Sequence, residues 1–307
     1  MRIVFCGTAT FAVPSLRSLA DAHEVMAVVT QPDRPGSRGR PAPRPVADVA
    51  THLGLPVLRP ERIRTPQSVA EVMSFRPDAL VVAAYGQIIP SSLLDGPPHG
   101  GVNVHGSILP RWRGAAPVAA AILAGDRSTG VSIMRMDAGL DTGPVYAVSE
   151  TAVQPTDTTP SLTERLAHLG ARLLIEVITG LETASVSAVP QDEAGATHAP
   201  RLRREDGVVE WGALDAVQVD RRVRALQPWP GVTAPLGGQP VRIIDGAPSD
   251  PPDPSGQPGS LLAVDGEAVD VVTASGAYRV AHVQPPGGRP MSAAAYLRGR
   301  RDAGVVR

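Results

Sequence analysis

Residues 3–6, 25–30, 79–84, 102–105 and 131–134 are short runs of strand-forming residues, several of them apolar without interruption. Successive side chains of a strand point to opposite faces, so an unbroken apolar run must be covered on both sides. Between these runs, 15–20, 46–53, 67–74 and 116–124 can form helices. The alternation restricts the first half to an α/β fold with a doubly wound, mainly parallel sheet. A longer pattern follows, in which Leu162, Leu166, Leu169, Leu173 and Val177 step by three and four. This apolar stripe predicts a helix over 161–179, with start signals at Pro160, Ser161 and Glu164 and an end at Gly180. Its length makes it the closing helix of a first domain, 1–182.

Residues 183–206 lose periodicity and read as a linker. From 207 to 307 the pattern changes to short strand-like runs (207–211, 241–244, 260–264, 268–273, 278–283) separated by Gly and Pro. Helices are expected at 214–226 and 291–298, and a Pro/Asp/Ser/Gly loop at 247–259. This punctuation suggests a small β-barrel.

Aromatic residues make up only 3% of the chain, so the core must come from Val, Leu, Ile and Ala. The lone Cys6 excludes an internal disulfide and a cysteine-based metal site, and the seven histidines are scattered, so no metal is expected. No apolar run is long enough to span a bilayer and no leader pattern opens the chain, which points to a cytoplasmic protein. Net charge is −1, and every positive side chain is arginine. The arginines cluster at 34–44, 201–204, 221–224 and 298–301, which raises the prospect of a polyanion-facing side. The opening strand and turn contain one glycine, Gly7, and lack the G-x-G-x-x-G pattern of a dinucleotide site.

Chemistry concentrates in Val-Asn-Val-His-Gly-Ser-Ile-Leu-Pro-Arg-Trp-Arg-Gly-Ala-Ala-Pro at 102–117 and in Asp-Ala-Gly-Leu-Asp-Thr-Gly at 137–143. Period-2 alternation sends Asn103 and His105 to one strand face and both valines to the other. An amide donor beside an imidazole suits acyl-group chemistry, which needs a hydrogen-bond donor for an oxyanion and a group that moves protons. Asp137 or Asp141 can orient that imidazole, and either can instead cap a glycine-rich turn. Trp112 can pack within its loop, and neither Arg111 nor Arg113 is assigned a role.

These two phrases, in this order and at this distance, resemble the folate-dependent formyltransferases, and among them the methionyl-tRNA formyltransferase family. The resemblance implies formyl transfer from 10-formyltetrahydrofolate, as co-substrate, to the α-amine of methionyl-initiator tRNA. It assigns Asn103, His105 and Asp141 as the catalytic set, choosing Asp141 through the Leu-Asp-Thr-Gly phrase. Residues 79–90 match the segment that lines the folate pocket, which nominates Tyr85 and Gly86, with a purely core role for Tyr85 left open. Ser107, Leu109 and Pro110 follow the catalytic strand and join the candidate folate site, although the incoming amine is itself the nucleophile and leaves Ser107 no obligatory chemistry.

Residues 30–45 resemble the family's basic loop, with Arg38 matching its principal arginine and Arg34 and Arg40 beside it. Such a loop would recognise the tRNA acceptor end by shape. The phrases at 196–211 and 224–231, and the run 283–300, resemble the family's linker and OB-like second domain. There Arg203, Arg204, Arg221, Arg222 or Arg224 would meet the tRNA backbone. Ala9 and Thr10 depart from the family, which usually has proline and an acidic residue there. A monomer without membrane association is expected. The alternatives are an N-formyltransferase of sugar nucleotides or other small amines, a non-catalytic RNA-binding protein and a folate hydrolase.

Overall fold

The computed structural model describes residues 1–33, 42–250 and 256–299. They form two compact units whose segments interleave along the chain. The first comprises Met1–Pro117, Ser128–Ala152 and Thr163–Ala199; the second comprises Val118–Arg127, Val153–Leu162 and the chain from Pro200 onward.

The first unit carries β1 (Arg2–Gly7), β2 (Glu24–Val29), β3 (Val57–Leu58), β4 (Ala79–Ala83), β5 (Gly101–His105), β6 (Arg113–Gly114), β7 (Ser128–Arg135), β8 (Val145–Ala152) and β9 (His198–Ala199). Seven of these form one sheet in the order β3-β2-β1-β4-β5-β7-β8. The pairings from β3 to β5 are parallel, and those of β5 with β7 and β7 with β8 are antiparallel. The expected mainly parallel sheet is therefore present, with an antiparallel edge. Ile3, Val4, Phe5 and Cys6 of β1 are all fully buried, as an apolar run between two covered faces requires. Ile3, Val4 and Phe5 each contribute about 1.5–3 kcal/mol by leaving water.

Along the first 182 residues run helices α1 (Val13–Ala22), α2 (Pro45–His52), α3 (Pro66–Ser74), α4 (Ser91–Leu94), α5 (Pro117–Ala124) and α6 (Thr159–Glu182). Helix α6 outruns its expected end. Gly180 lies inside its last turns, and the left-handed position falls instead on Ala184 (φ 53°). There Ser185 N–H donates to the Gly180 carbonyl at 2.8 Å, closing the helix without a glycine in the left-handed position. Glycine is needed ten residues earlier: a Cβ on Gly170 would stand 2.8 Å from Val104 Cγ1, so its absence lets α6 lie close against the back of β5.

The second unit is built on an antiparallel sheet of β10 (Val232–Leu236), β11 (Gln239–Ser249), β12 (Leu261–Asp265), β13 (Ala268–Val272) and β14 (Ala277–Gln284), in the order β10-β11-β14-β13-β12, with β15 (Met291–Ser292) beside β14. Register shifts near Asp245 curl the long β11 against β14. Helices α7 (Ala216–Ala225) and α8 (Ala293–Arg298) bury Val219, Val223 and Leu297 in a core with Val241, Ile243 and Tyr278. Asp215 caps α7 by accepting from Gln218 N–H at 2.7 Å.

Residues 207–211 do not form the expected strand; they end a tight helical turn, and Val208 makes a single bridge to Thr233. The arginines of α7 are engaged inside this unit. Arg222 donates to the Asp206 carbonyl at 2.8 Å, and Arg224 to the Asp220 carboxylate at 2.7 Å and the Asp157 carbonyl at 2.8 Å. Arg221 reaches the Ala124 carbonyl at 3.4 Å.

Candidate active site

Strand β5 ends at the C-terminal edge of the parallel part of the sheet, where open α/β sheets bind their ligands. Val102 and Val104 are buried, while Asn103 and His105 face the 137–143 loop. Asn103 Nδ2 donates to Asp141 Oδ1 at 3.4 Å, and His105 Nδ1 lies 3.6 Å from Asp141 Oδ2. The structure thus brings the three sequence-nominated groups together. Asp137 points elsewhere, accepting from Gly139 N–H at 3.0 Å and Thr142 Oγ1 at 2.7 Å in a local turn.

Two backbone groups complete the constellation. His105 Nε2 lies 3.0 Å from the Trp112 carbonyl oxygen, which only accepts, so Nε2 carries a hydrogen in this arrangement. Gly114 N–H donates to Asp141 Oδ2 at 2.9 Å. His105 is only 5% exposed, so its ring is shielded from bulk water while its nitrogens remain specifically partnered. Asp141 adopts a left-handed backbone (φ 55°), a conformation that aspartate tolerates better than most residues.

The loop after β5 is held by its own polar groups. The fully buried Ser107 hydroxyl donates to the Arg111 carbonyl, and the Ser107 carbonyl accepts from Ser132 Oγ at 2.8 Å. Leu109 N–H donates to the same Ser132 Oγ at 3.0 Å, and the Pro110 carbonyl accepts from Thr197 N–H at 3.2 Å. Arg111 stacks on Trp112 with 4.3 Å from its guanidinium carbon to the ring centroid. The Tyr85 ring is buried, and burial pushes its phenol well above the usual range. Its carbonyl accepts from Thr8 Oγ1 at 3.0 Å and Gln31 Nε2 at 2.9 Å, and Gly86 follows with φ 84°. Among nominated folate residues, Ser107 therefore has its side-chain hydroxyl occupied by the fold, and the Tyr85 ring lies in the core.

Sequence reasoning missed Gln191 and left Arg113 without a role. Arg113 is 3% exposed and donates to both Gln191 and Glu193, while Gln191 donates to the backbone of the Asp141 loop. A buried arginine demands a partner, but nothing in the aperiodic 183–206 segment marks Gln191 or Glu193 as that partner.

Arg34, Arg38 and Arg40 lie outside the described residues. Arg203 and Arg204 are exposed at the start of the 204–207 turn, where Arg203 N–H donates to Asp206 at 2.7 Å. Among the described residues, no group of three or more His, Cys, Asp or Glu is placed to hold a metal ion, and no helix is long and apolar enough to cross a membrane.

Comparison with known proteins extends this picture over the whole chain. Residues 1–178 match the formyl transferase family model, and 201–301 match the formyl transferase C-terminal domain. The fold is shared with HypX from Aquifex aeolicus in complex with tetrahydrofolic acid (TM-score 0.66, 21% identity), over 97% of this chain and 47% of that one. The chain thus spans about half of that larger protein. An N-formyltransferase from Helicobacter canadensis has the same fold at TM-score 0.66 and 15% identity, over 91% of this chain and 97% of its own. Sequence similarity is far higher elsewhere. A methionyl-tRNA formyltransferase of Methylococcus capsulatus is 45% identical over 99% of this chain and 98% of its own length. One from Xylella fastidiosa is 46% identical over 99% of both chains. With end-to-end similarity of this strength, the chain belongs to the methionyl-tRNA formyltransferase family.

Proposed function

We propose that this protein transfers the formyl group of 10-formyltetrahydrofolate to the α-amine of methionine on initiator tRNA, releasing tetrahydrofolate and formylmethionyl-tRNA for translation initiation. The observation that carries this reading is the convergence of Asn103, His105 and Asp141 on one loop, in a chain of this family. The free amine attacks the formyl carbon, and the carbonyl oxygen gains negative charge as a tetrahedral centre forms. Asn103 has a second amide hydrogen to donate to that oxygen. At Nδ1, since Nε2 already donates to the Trp112 carbonyl, His105 takes the proton lost by the amine, and it returns one to the departing folate nitrogen as the tetrahedral centre collapses and the old C–N bond breaks. Asp141 holds the imidazole in place throughout.

In this reading 1–182 performs catalysis, 183–206 links, and 207–307 contacts tRNA. Tyr85, Gly86, Leu109 and Pro110 would meet the folate through backbone and apolar groups, and Ser107 would shape their loop. Arg34, Arg38, Arg40, Arg203 and Arg204 would contact tRNA phosphates. The enzyme would act as a cytoplasmic monomer and without a metal.

An acceptor panel tests the assignment. With 10-formyltetrahydrofolate as donor, initiator methionyl-tRNA should be formylated, and an amino-sugar nucleotide or water should accept far more slowly. Preference for the sugar amine would overturn the tRNA assignment. RNA binding without any transfer would overturn the enzymatic reading.

A further inference from the structure

A second polar network, centred on the buried Arg113, converges on the Asp141 loop from behind. Arg113 donates from Nε and Nη2 to Gln191 Oε1 at 3.0 and 2.8 Å. Its Nη1 and Nη2 also donate to the Glu193 carboxylate at 2.9 and 2.7 Å. A guanidinium only donates, so Gln191 must turn its oxygen toward Arg113 and its NH2 group away. Both hydrogens of that NH2 group are then used: one goes to the Asp141 carbonyl at 2.8 Å, the other to the Gly143 carbonyl at 2.7 Å.

We propose that Gln191, oriented by Arg113, is a positioning residue that tethers the backbone of the Asp141 loop and so aims the Asp141 carboxylate at His105. The proposal rests on the formyl-transfer reading given above. Three consecutive residues make the argument. Trp112 gives its carbonyl to His105, Arg113 holds the tether and Gly114 gives its N–H to Asp141. Strand β6 and the residue before it therefore fix the imidazole, the carboxylate and the back of the carboxylate's loop together. Asp141 needs that support because its left-handed backbone is less favourable than an ordinary one, and surrounding contacts must hold it there. Asp137 pins the outer side of the loop, and Gln191 supplies the inner attachment. Without the tether, two carbonyls lose their donors, and the carboxylate is free to swing from its 3.6 Å approach to His105.

Gln191→Glu and Gln191→Met separate the tether from the Arg113 contact. The introduced carboxylate still pairs with Arg113 but has no hydrogen for the two carbonyls at neutral pH. The thioether keeps the length and loses every polar contact. Both should lower kcat for methionyl-tRNA formylation at least about tenfold while changing KM for either substrate less than about twofold. Both should also displace the ¹⁵N signals of the His105 ring, with thermal melts confirming that the variants are folded. Arg113→Lys should cause a similar displacement, because a point charge cannot hold Gln191 and Glu193 in one plane.

Wild-type kcat in both Gln191 variants would overturn the proposal, as would lowered kcat with His105 signals unmoved. If the wild type forms no formylmethionyl-tRNA, the formyl-transfer reading fails. The ring spectra then decide the tether separately, displaced signals supporting it and coincident signals overturning it.

Discussion

Gly114 donates its backbone N–H to Asp141 Oδ2 at 2.9 Å from a conformation (φ 117°) that side-chain-bearing residues rarely adopt. A Cβ at this position would stand 2.7 Å from the Ala199 carbonyl oxygen, inside the β6–β9 pairing. The sequence Arg-Gly after the tryptophan is thus part of the carboxylate's environment as well as a turn.

Gly114→Ala should push β6 away from β9 and withdraw the donor from Asp141. Stability should fall by about 1–3 kcal/mol from backbone strain alone. Denaturant unfolding measures this, and kinetics should show the loss mainly in kcat rather than KM. Unchanged stability and turnover would contradict the placement of β6.

If Asn103 donates to the oxyanion as proposed, Asn103→Ala should lower kcat by about 10²–10³. His105→Ala should lower it by about 10²–10⁴ through loss of proton transfer. Both variants should still bind tRNA as tightly as the wild type, which filter binding would check. Parallel loss of affinity and turnover would point to a structural role.

The parallel strands of the first unit were readable because burial on both faces leaves continuous apolar runs, as in β1 and β4. Asn103 and His105 were readable because strand alternation forces them to share a face. Strand β8 escaped notice, since its half-buried sequence mixes Ser, Glu and Thr with small apolar residues. Strand β10 was hidden by Pro235, which is tolerated there because β10 lies at the sheet edge. The 183–206 segment shows no periodicity because side-chain hydrogen bonds, unlike packing, impose no period. Gln191 makes its contacts to Asp141 and Arg113 across 50 and 78 residues, respectively.

Arg38 carries the tRNA-loop proposal by family resemblance, outside the described residues. Arg38→Ala should raise KM for initiator methionyl-tRNA about tenfold or more, with activity recovering at high RNA concentration. Wild-type affinity should fall steeply with salt, and the variant's slope should be shallower. An unchanged KM and salt slope would remove Arg38 from the interface.

In the second unit, Asp270 is 2% exposed and accepts from Arg279 Nε and Nη2, each at 2.9 Å. These hydrogen bonds hold its carboxyl below the ordinary carboxylate range, although burial opposes them. The resulting stabilisation is present above the unfolded carboxyl pKa, near about 4. It is lost as pH falls through the lower folded-state value. Asp270→Asn should destabilise the protein at neutral pH by about 1–3 kcal/mol, a range discounted for the partly exposed arginine. That difference should shrink as pH is lowered from about 5 toward 2, when measured by denaturant unfolding. A pH-independent difference would contradict the pairing.

Single-turnover transfer from 10-formyltetrahydrofolate to initiator methionyl-tRNA, with wild type and Asp141→Asn side by side, tests the central claim most directly. The account predicts transfer by the wild type and a loss of about 10²-fold or more in the variant, whose neutral amide no longer provides the carboxylate beside His105. An inactive wild type, or a variant that transfers at the wild-type rate, would contradict it.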